Sequence, residues 1–411
     1  MKGRLYAPLL EDPKIKRWHQ NLARGSQVTA DVYLRRLGNF CESTKTTPQQ
    51  LAAMNEEELY NLLLDTVTSM EKNYTGSYTQ SIIKAIKSWL KHNGIQVTKE
   101  IKIRGAEDAP TLKDEKVPTQ TELKKIFLST DLKGRTASVL VAHSGLRLET
   151  VGNYLGDDGL RIRDLPELKV EGESIEFEQI PTLVIVRKEI SKAGHQYFSF
   201  LSEEGCGYLK DYLEARMRDD EKLGADSPIV TPKQRMKPFI RSTNVGDVIR
   251  DGIRKAGFPW RPYVLRSYFD TEMMLAESKG LVLRDYRQFW MGHKGDIEHR
   301  YTLNKGRLPG EVVEDLRGAY RRSQEYLETG RSESDSEERL RDSFRKQLLL
   351  VAGFTSEEVD GMDLSMDDAS FQEMVRRRLG GQSGDGGGSQ RVVSVGDVDG
   401  FLSRARASAG G

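Results

Sequence analysis

Two arginines, a lysine, a histidine and a tyrosine in this chain have side chains suited to chemistry at a phosphate group. Guanidinium groups bind two phosphate oxygens at once and keep their charge. A phenol has a pKa near 10 and attacks an electrophile only when its surroundings favour the ionised form. The residues are Arg147 in HSGLRLET (143–150), Lys192, Arg266 in RPYVLRSYF (261–269), and His293 and Tyr301 in WMGHKGDIEHRY (290–301).

Each of these signals is common when taken alone. Gly-Leu-Arg recurs by chance, a lysine in a turn is usually solvated, and most tyrosines are amphipathic packing residues. The evidence for chemistry therefore depends on the order and spacing of the segments.

In that order, the three segments resemble the tyrosine recombinases, or phage integrases, of the type carried by mobile elements, archaeal ones among them. The first is similar to their Thr/Ser-Gly-Leu-Arg turn, the second to His-x-x-Arg, and the third to Leu-Gly-His followed by a tyrosine. The resemblance covers about residues 16–327. It implies a mainly α fold with a small antiparallel β-sheet: a helical core-binding domain and a mixed α/β catalytic domain, the DNA breaking-rejoining fold.

The resemblance also implies roles for the five side chains. Tyr301 would attack the scissile phosphate and form a 3′-phosphotyrosine, while Arg147 and Arg266 would bind the non-bridging oxygens. Lys192 would protonate the departing 5′ hydroxyl, and His293 would donate a hydrogen bond to the phosphate. Such a reaction needs neither metal nor nucleotide cofactor.

Three positions depart from the family pattern. Tyr263 stands where the second box begins with histidine, so a phenol would replace an imidazole in the catalytic set. Thr150 takes the place of an acidic residue that braces the active site, with Glu149 next to it. His293 and Tyr301 are eight residues apart rather than the expected nine.

The first part of the chain has helical spacing from Trp18 to about Gly94, in four segments. Thr29 is predicted to cap one helix, Thr47 another, and Asn55 begins a capping box. In the last segment Lys84, Lys87 and Lys91 lie on one face, opposite the apolar residues. These lysines are candidate DNA contacts, and a solvated helix face is the alternative. The predicted buried face of the last helix is Ile82, Ile83, Ile86, Trp89 and Leu90.

A capping box at Thr119 opens a second, mostly helical region. TLVIVRKEI and QYFSFL alternate like strands and should form a β-hairpin whose turn, residues 191–195, carries Lys192. Helices are predicted at 205–217, 243–256, 262–278, 281–290 and 309–327.

These patterns divide the chain into an N-terminal arm (1–15), a core-binding domain (16–105), a catalytic domain (106–330) and an acidic, partly disordered tail (331–411) with a flexible linker at 380–390. The tail has 11 basic and 15 acidic residues, so the other 330 residues carry a net charge of +5 within the total of +1. A charge this small does not by itself indicate a nucleic-acid partner.

Two cysteines without CxxC spacing, Cys41 and Cys206, are predicted to be reduced packing residues. No run approaches the about 18 apolar residues of a membrane span, and no signal peptide is recognisable, so the expected location is the cytoplasm.

The leading functional hypothesis is site-specific recombination of double-stranded DNA by a homotetramer on paired sites, with no small-molecule substrate and no membrane. Two alternatives remain open: a monomeric type IB topoisomerase-like enzyme, and a DNA-binding protein with a recombinase fold that no longer cuts. A metal-dependent transposase is disfavoured because the alternating strand and helix pattern of its ribonuclease-like sheet is missing.

Overall fold

Most of the predicted helices and the predicted β-hairpin are present in a computed structural model of the protein. Residues 1–330 form one compact unit and residues 331–411 a second, and each is described by itself. The predicted tail disorder and the linker at 380–390 lie outside the described residues. The structure describes residues 6–107, 115–233, 236–293, 309–330, 345–346, 348–350, 352–355, 358–359, 362, 371 and 374–378.

Five helices pack into the first hydrophobic cluster of the larger unit. The predicted cap at Thr47 and the predicted capping box at Asn55 are confirmed, and the Thr47 cap is itself a capping box with Gln50. The predicted cap at Thr29 is wrong, because the Ser26 hydroxyl accepts a hydrogen bond from the Thr29 backbone N–H and the helix begins three residues earlier than the pattern indicated. The helices are α1 (Pro13–Gly25), α2 (Gln27–Thr44), α3 (Pro48–Leu51), α4 (Glu56–Met70) and α5 (Gly76–His92), preceded by a 3₁₀ turn (Ala7–Glu11).

Helix α5 buries the face that its sequence predicted. Trp89 contacts Trp18 of α1 edge to face at 5.5 Å between ring centroids, and its indole N–H donates to the Pro48 carbonyl at 2.9 Å. The opposite face carries the lysine stripe, of which Lys84 and Lys91 are exposed and Lys87 is half-buried. The stripe is thus accessible to a partner.

The second hydrophobic cluster is mainly helical with two small antiparallel sheets, which confirms the predicted fold class. The Thr119 capping box is confirmed, and five predicted helices occur within a few residues of their expected bounds. The hairpin β1–β2 and the buried helix α7 were not predicted. The elements are α6 (Gln120–Leu128), α7 (Leu132–Ser144), α8 (Leu148–Val151), β1 (Leu168–Glu171), β2 (Ser174–Phe177), β3 (Thr182–Val186), β4 (Tyr197–Leu201), α9 (Glu203–Arg218), α10 (Ser242–Lys255), α11 (Tyr263–Ser278), α12 (Arg284–Trp290) and α13 (Gly310–Leu327).

The β3–β4 hairpin has a shorter first strand than the alternation predicted. Strand β3 ends at Val186, which pairs with Tyr197, and Lys188–Ile190 form a 3₁₀ turn. Arg187 interrupts the alternation because its guanidinium binds Asp164 at 2.8 Å and Asp158 at 2.9 Å. These ion pairs direct the chain out of the strand and into the loop that carries Lys192.

A hydrogen bond connects the two clusters of the larger unit. The Tyr154 hydroxyl donates to Asp31 Oδ2 at 3.0 Å, and Asp31 Oδ1 lies 2.8 Å from His19 Nε2. This contact joins α1 and α2 to the segment that follows α8.

The smaller unit has a hydrophobic cluster of its own, in which Leu349, Val359 and Phe371 are buried. The Arg345 guanidinium stacks over the Phe371 ring at 4.9 Å. Both cysteines of the chain lie in the larger unit, where they are buried and free, as predicted.

Candidate functional site

The two arginines of the first and second motifs meet at a single backbone carbonyl. Arg147 Nη1 donates to the Met291 carbonyl oxygen at 3.2 Å, and Arg266 Nη2 donates to the same oxygen at 2.7 Å. Arg266 is 3% exposed, and its Nη1 also donates to the Gly145 carbonyl. Three segments that are far apart in sequence therefore meet at one backbone carbonyl.

The acceptor carbonyl belongs to a helix end with Schellman geometry. After α12, the Gly292 N–H donates to the Phe289 carbonyl at 2.8 Å and the His293 N–H to the Gln288 carbonyl at 3.0 Å. Gly292 has φ +61°, a conformation that glycine adopts without steric cost. This ending leaves the Met291 carbonyl available to the arginines.

The first motif positions Arg147 through a second helix end. Helix α7 is followed by the C-cap residue Gly145, which has φ +63°, and a Cβ at this position would lie 2.5 Å from Phe269 Cδ1. Only glycine fits here, so the chain turns sharply and places Arg147 at the start of α8. The arginine pair thus donates hydrogen bonds to carbonyls at two helix C-termini, where the helix dipole favours positive charge.

Neutral acceptors hold both guanidiniums, and neither forms an ion pair with a carboxylate among the described residues. Burial lowers the pKa of Arg266, and repulsion by Arg147 lowers it further. Two uncompensated positive charges close together form a site that would bind a phosphate or a similar anion.

His293 follows the Schellman turn and belongs to the same site. Burial lowers the pKa of its imidazole, and the positive charges of Arg266 and Arg147 lower it further, whereas Asp270 opposes the change. These effects favour the neutral imidazole, in which one ring nitrogen donates a hydrogen bond and the other accepts.

Lys192 lies in the β3–β4 loop and is exposed. The loop is attached to the first motif two residues before the lysine, because the Thr150 hydroxyl donates to the Ile190 carbonyl at 3.4 Å. Thr150 is 1% exposed, so a threonine stands at the buried position where the resemblance implies an acidic brace. Here the residue braces the lysine loop through a neutral hydrogen bond.

Tyr263 is the first residue of α11, one helical turn before Arg266, and 68% of its side chain is exposed. The proposed nucleophile Tyr301 lies outside the described residues, as does the whole of 294–308. The lysines lie on α5, a helix of the other hydrophobic cluster and not of the cluster that contains the arginine site.

Tyr197, at the start of β4, was not singled out by sequence reasoning. It is fully buried, and a Cβ on Gly292 would lie 2.5 Å from its Cε1 atom, so the phenol ring packs directly against the Schellman turn. Its place in a strand-like segment gave no indication that it lies near the arginines. Its proximity to the arginines depends on the contact between β4 and α12.

No group of three or more His, Cys, Asp or Glu side chains is placed to hold a metal ion in the part of the chain that the structure describes. Across the same residues, no helix combines the length and the apolar character that crossing a membrane requires.

No protein-family model and no curated protein sequence matches this chain. Several solved structures are similar to it in fold. The integrase from mycobacterium phage Brujita has 16% identity and a TM-score of 0.32, with 80% of this chain and 95% of that chain covered. A lambda integrase dimer bound to a COC′ core site has 15% identity and a TM-score of 0.42, with 72% of this chain and 96% of that chain covered. The XerA recombinase has 17% identity and a TM-score of 0.32, with 74% of this chain and 96% of that chain covered. The functional assignment therefore depends on the residues of the site itself.

Proposed function

We propose that this protein is a site-specific DNA recombinase of the tyrosine recombinase type, which cleaves and rejoins DNA for the integration or excision of a mobile element. The observation that carries the proposal is the convergence of Arg147 and Arg266 on the Met291 carbonyl, next to His293. Among the described residues the acceptors of this arginine pair are neutral carbonyls, so its positive charge is available to a phosphodiester, whose charge grows during attack.

In the proposed reaction, the Tyr301 phenol gives its proton to solvent water and its oxygen attacks phosphorus. A bond forms between phosphorus and the tyrosine oxygen as the bond to the 5′ oxygen breaks, which leaves a 3′-phosphotyrosine. Lys192 donates a proton to the departing 5′ oxygen, and the neutral imidazole of His293 donates a hydrogen bond to a non-bridging oxygen. The steps reverse when another strand's 5′ hydroxyl attacks, so no metal or nucleotide is consumed.

The rest of the larger unit supports a DNA substrate. In the proposal, residues 16–105 and 106–330 act as the two halves of a clamp on double-stranded DNA. Lys84 and Lys91 are exposed on α5 and could bind backbone phosphates together with Lys87. Four protomers on paired sites would allow strand exchange.

The decisive experiment is a search for the covalent intermediate. Wild-type protein, Tyr301→Phe and Tyr326→Phe are incubated without metal with a pool of nicked DNA duplexes, and adducts that survive denaturation are counted. We expect adducts from wild type and from Tyr326→Phe, because Tyr326 lies on α13 and uses its backbone carbonyl, not its ring, to accept a hydrogen bond from Tyr268. Tyr301→Phe should form none.

Each other outcome points to a different function. An adduct that persists in Tyr301→Phe would refute the assignment of the nucleophile. No adduct on DNA that is demonstrably bound would indicate a DNA-binding protein that does not cut. Adduct formation by a monomer without strand exchange would indicate a topoisomerase-like enzyme.

A further inference from the structure

The Tyr197 hydroxyl is a buried polar group that makes no close, well-directed hydrogen bond among the described residues, although the Arg266 guanidinium and the Thr150 hydroxyl interact with it. The side chain is 0% exposed, so bulk water does not reach the oxygen. Leaving a buried hydroxyl unpaired costs about 1 to 3 kcal/mol, and such groups in folded proteins often have a functional role. The phenol therefore needs an explanation beyond filling the core, which a phenylalanine would do without this cost.

The position of the ring suggests that explanation. The edge of the ring that carries the hydroxyl faces the Schellman turn, since a Cβ on Gly292 would lie 2.5 Å from Cε1 and 2.6 Å from Cζ. Gly292 lies between Met291, whose carbonyl binds both arginines, and His293. Tyr197 thus supports the turn that joins the two arginines to the imidazole.

The electrostatic surroundings of the phenol agree with this position. Burial raises the pKa of Tyr197, while the positive charges of Arg266 and Arg147 and hydrogen-bond interactions with the Thr150 and Arg266 side chains oppose the rise. The phenol oxygen is therefore within electrostatic reach of both guanidiniums.

Arg266 has guanidinium N–H groups beyond the two that bind the Gly145 and Met291 carbonyls. We propose that Tyr197 is a positioning residue of the anion site: its hydroxyl oxygen is a third neutral acceptor that orients the Arg266 guanidinium when a phosphate binds. This inference rests on the proposed function for the identity of the phosphate, a DNA phosphodiester. The neutral phenol suits the role because a carboxylate there would compete with the phosphate for the arginines.

Tyr197→Phe tests the proposal because it keeps the ring against Gly292 and removes only the oxygen. Tyr212→Phe is the matched control: Tyr212 is also a buried tyrosine, and its hydroxyl lies 2.9 Å from the Thr231 hydroxyl. Arg266→Gln gives the reference for a protein without the anion site. Three quantities are measured for each protein: affinity for inorganic phosphate by ³¹P NMR titration, affinity for the DNA duplex, and the single-turnover rate of adduct formation at saturating DNA.

We expect Tyr197→Phe to bind inorganic phosphate about tenfold more weakly and to form adduct about tenfold more slowly, the loss associated with one hydrogen bond to a charged group. Affinity for the duplex should stay unchanged, because most of its contacts lie elsewhere. Tyr212→Phe should match wild type in all three measurements. If the Tyr197 hydroxyl served core packing alone, Tyr197→Phe and Tyr212→Phe would change phosphate affinity to the same extent.

Equal phosphate affinities and rates in wild type and Tyr197→Phe would overturn the proposal, and so would equal losses in Tyr197→Phe and Tyr212→Phe. A wild-type protein that binds phosphate no better than Arg266→Gln would also overturn it. If wild type forms no adduct on any DNA but the tenfold difference in phosphate affinity is found, the recombinase proposal fails and the role of Tyr197 in an anion site stands.

Discussion

His143 is a fully buried imidazole at the start of the first motif, and its titration should couple the stability of the site to pH. Burial lowers the pKa of His143 from its ordinary value of 6.5 to about 4. The ring packs edge to face on Phe127 at 5.6 Å, its Nδ1 lies 2.7 Å from the Ser202 hydroxyl, and its backbone carbonyl accepts a hydrogen bond from Tyr320 at 2.5 Å. A charge on this ring would have to be accommodated in the centre of the core.

The sign of the effect follows from the lowered pKa. The unfolded chain takes up a proton on His143 as the pH falls through 6.5, while the folded chain stays neutral until about pH 4. Acid therefore favours the unfolded state, and the stability present above pH 6.5 is lost as the pH falls. Between pH 7.5 and pH 5 the loss from this group is about 2 kcal/mol.

His143→Gln removes the titration and keeps a side chain that can form a hydrogen bond with Ser202. Unfolding free energies are measured in urea at pH 7.5 and pH 5 at constant ionic strength. We expect the variant to gain about 2 kcal/mol relative to wild type between the two pH values, whatever the fixed cost of the substitution. His92→Gln, at an exposed histidine on α5, is the control and should show no such gain.

The comparison must be made against wild type at each pH because Glu272 acts in the opposite direction. Burial raises the pKa of Glu272 to about 7, so its contribution to stability is present at low pH and is lost as the pH rises through 7. The two groups partly cancel in the wild-type curve but not in the difference. A difference between His143→Gln and wild type that stays the same at both pH values would refute the assignment of a buried neutral imidazole.

Two further predictions concern the first motif and the lysine stripe. Gly145→Ala should destabilise the fold by about 2 to 4 kcal/mol, from the left-handed backbone and the contact with Phe269, whereas Gly172→Ala, with φ +60° and open space around its Cβ, should cost only about 1 to 2 kcal/mol; equal losses in urea unfolding would disprove the role of the contact. Neutralising the lysine stripe should lower the slope of log affinity against log salt on duplex DNA by about 0.9 for each phosphate that the protein no longer neutralises, and an unchanged slope would place DNA elsewhere. The substitutions are Lys84→Gln, Lys87→Gln and Lys91→Gln.

Sequence patterns were most reliable where a few neighbouring residues determine the structure. The cap at Thr47 and the capping boxes at Asn55 and Thr119 form as predicted because each joins a side chain to a backbone N–H three residues away. The face of α5 that carries Trp89 is buried because helical periodicity separates apolar from charged positions. Thr29 failed as a cap because Ser26, three residues earlier, offers an equivalent hydroxyl.

Helix α7 shows where local patterns stop being informative. It is buried on nearly every side, so apolar and small residues occur all around it and no amphipathic stripe marks its length. The end of β3 at Val186 depends on ion pairs of Arg187 with Asp158 and Asp164, residues more than 20 positions earlier in the chain.

The resemblance carried by the three motifs was what paired Arg147 with Arg266 in the sequence analysis. The meeting of both arginines at the Met291 carbonyl, and the buried phenol of Tyr197 behind that turn, appear only in the folded chain. A backbone carbonyl has the same chemistry at every residue, so no sequence pattern distinguishes the one that a guanidinium will bind. The packing of α7, α11, α12 and β4 against one another makes that selection.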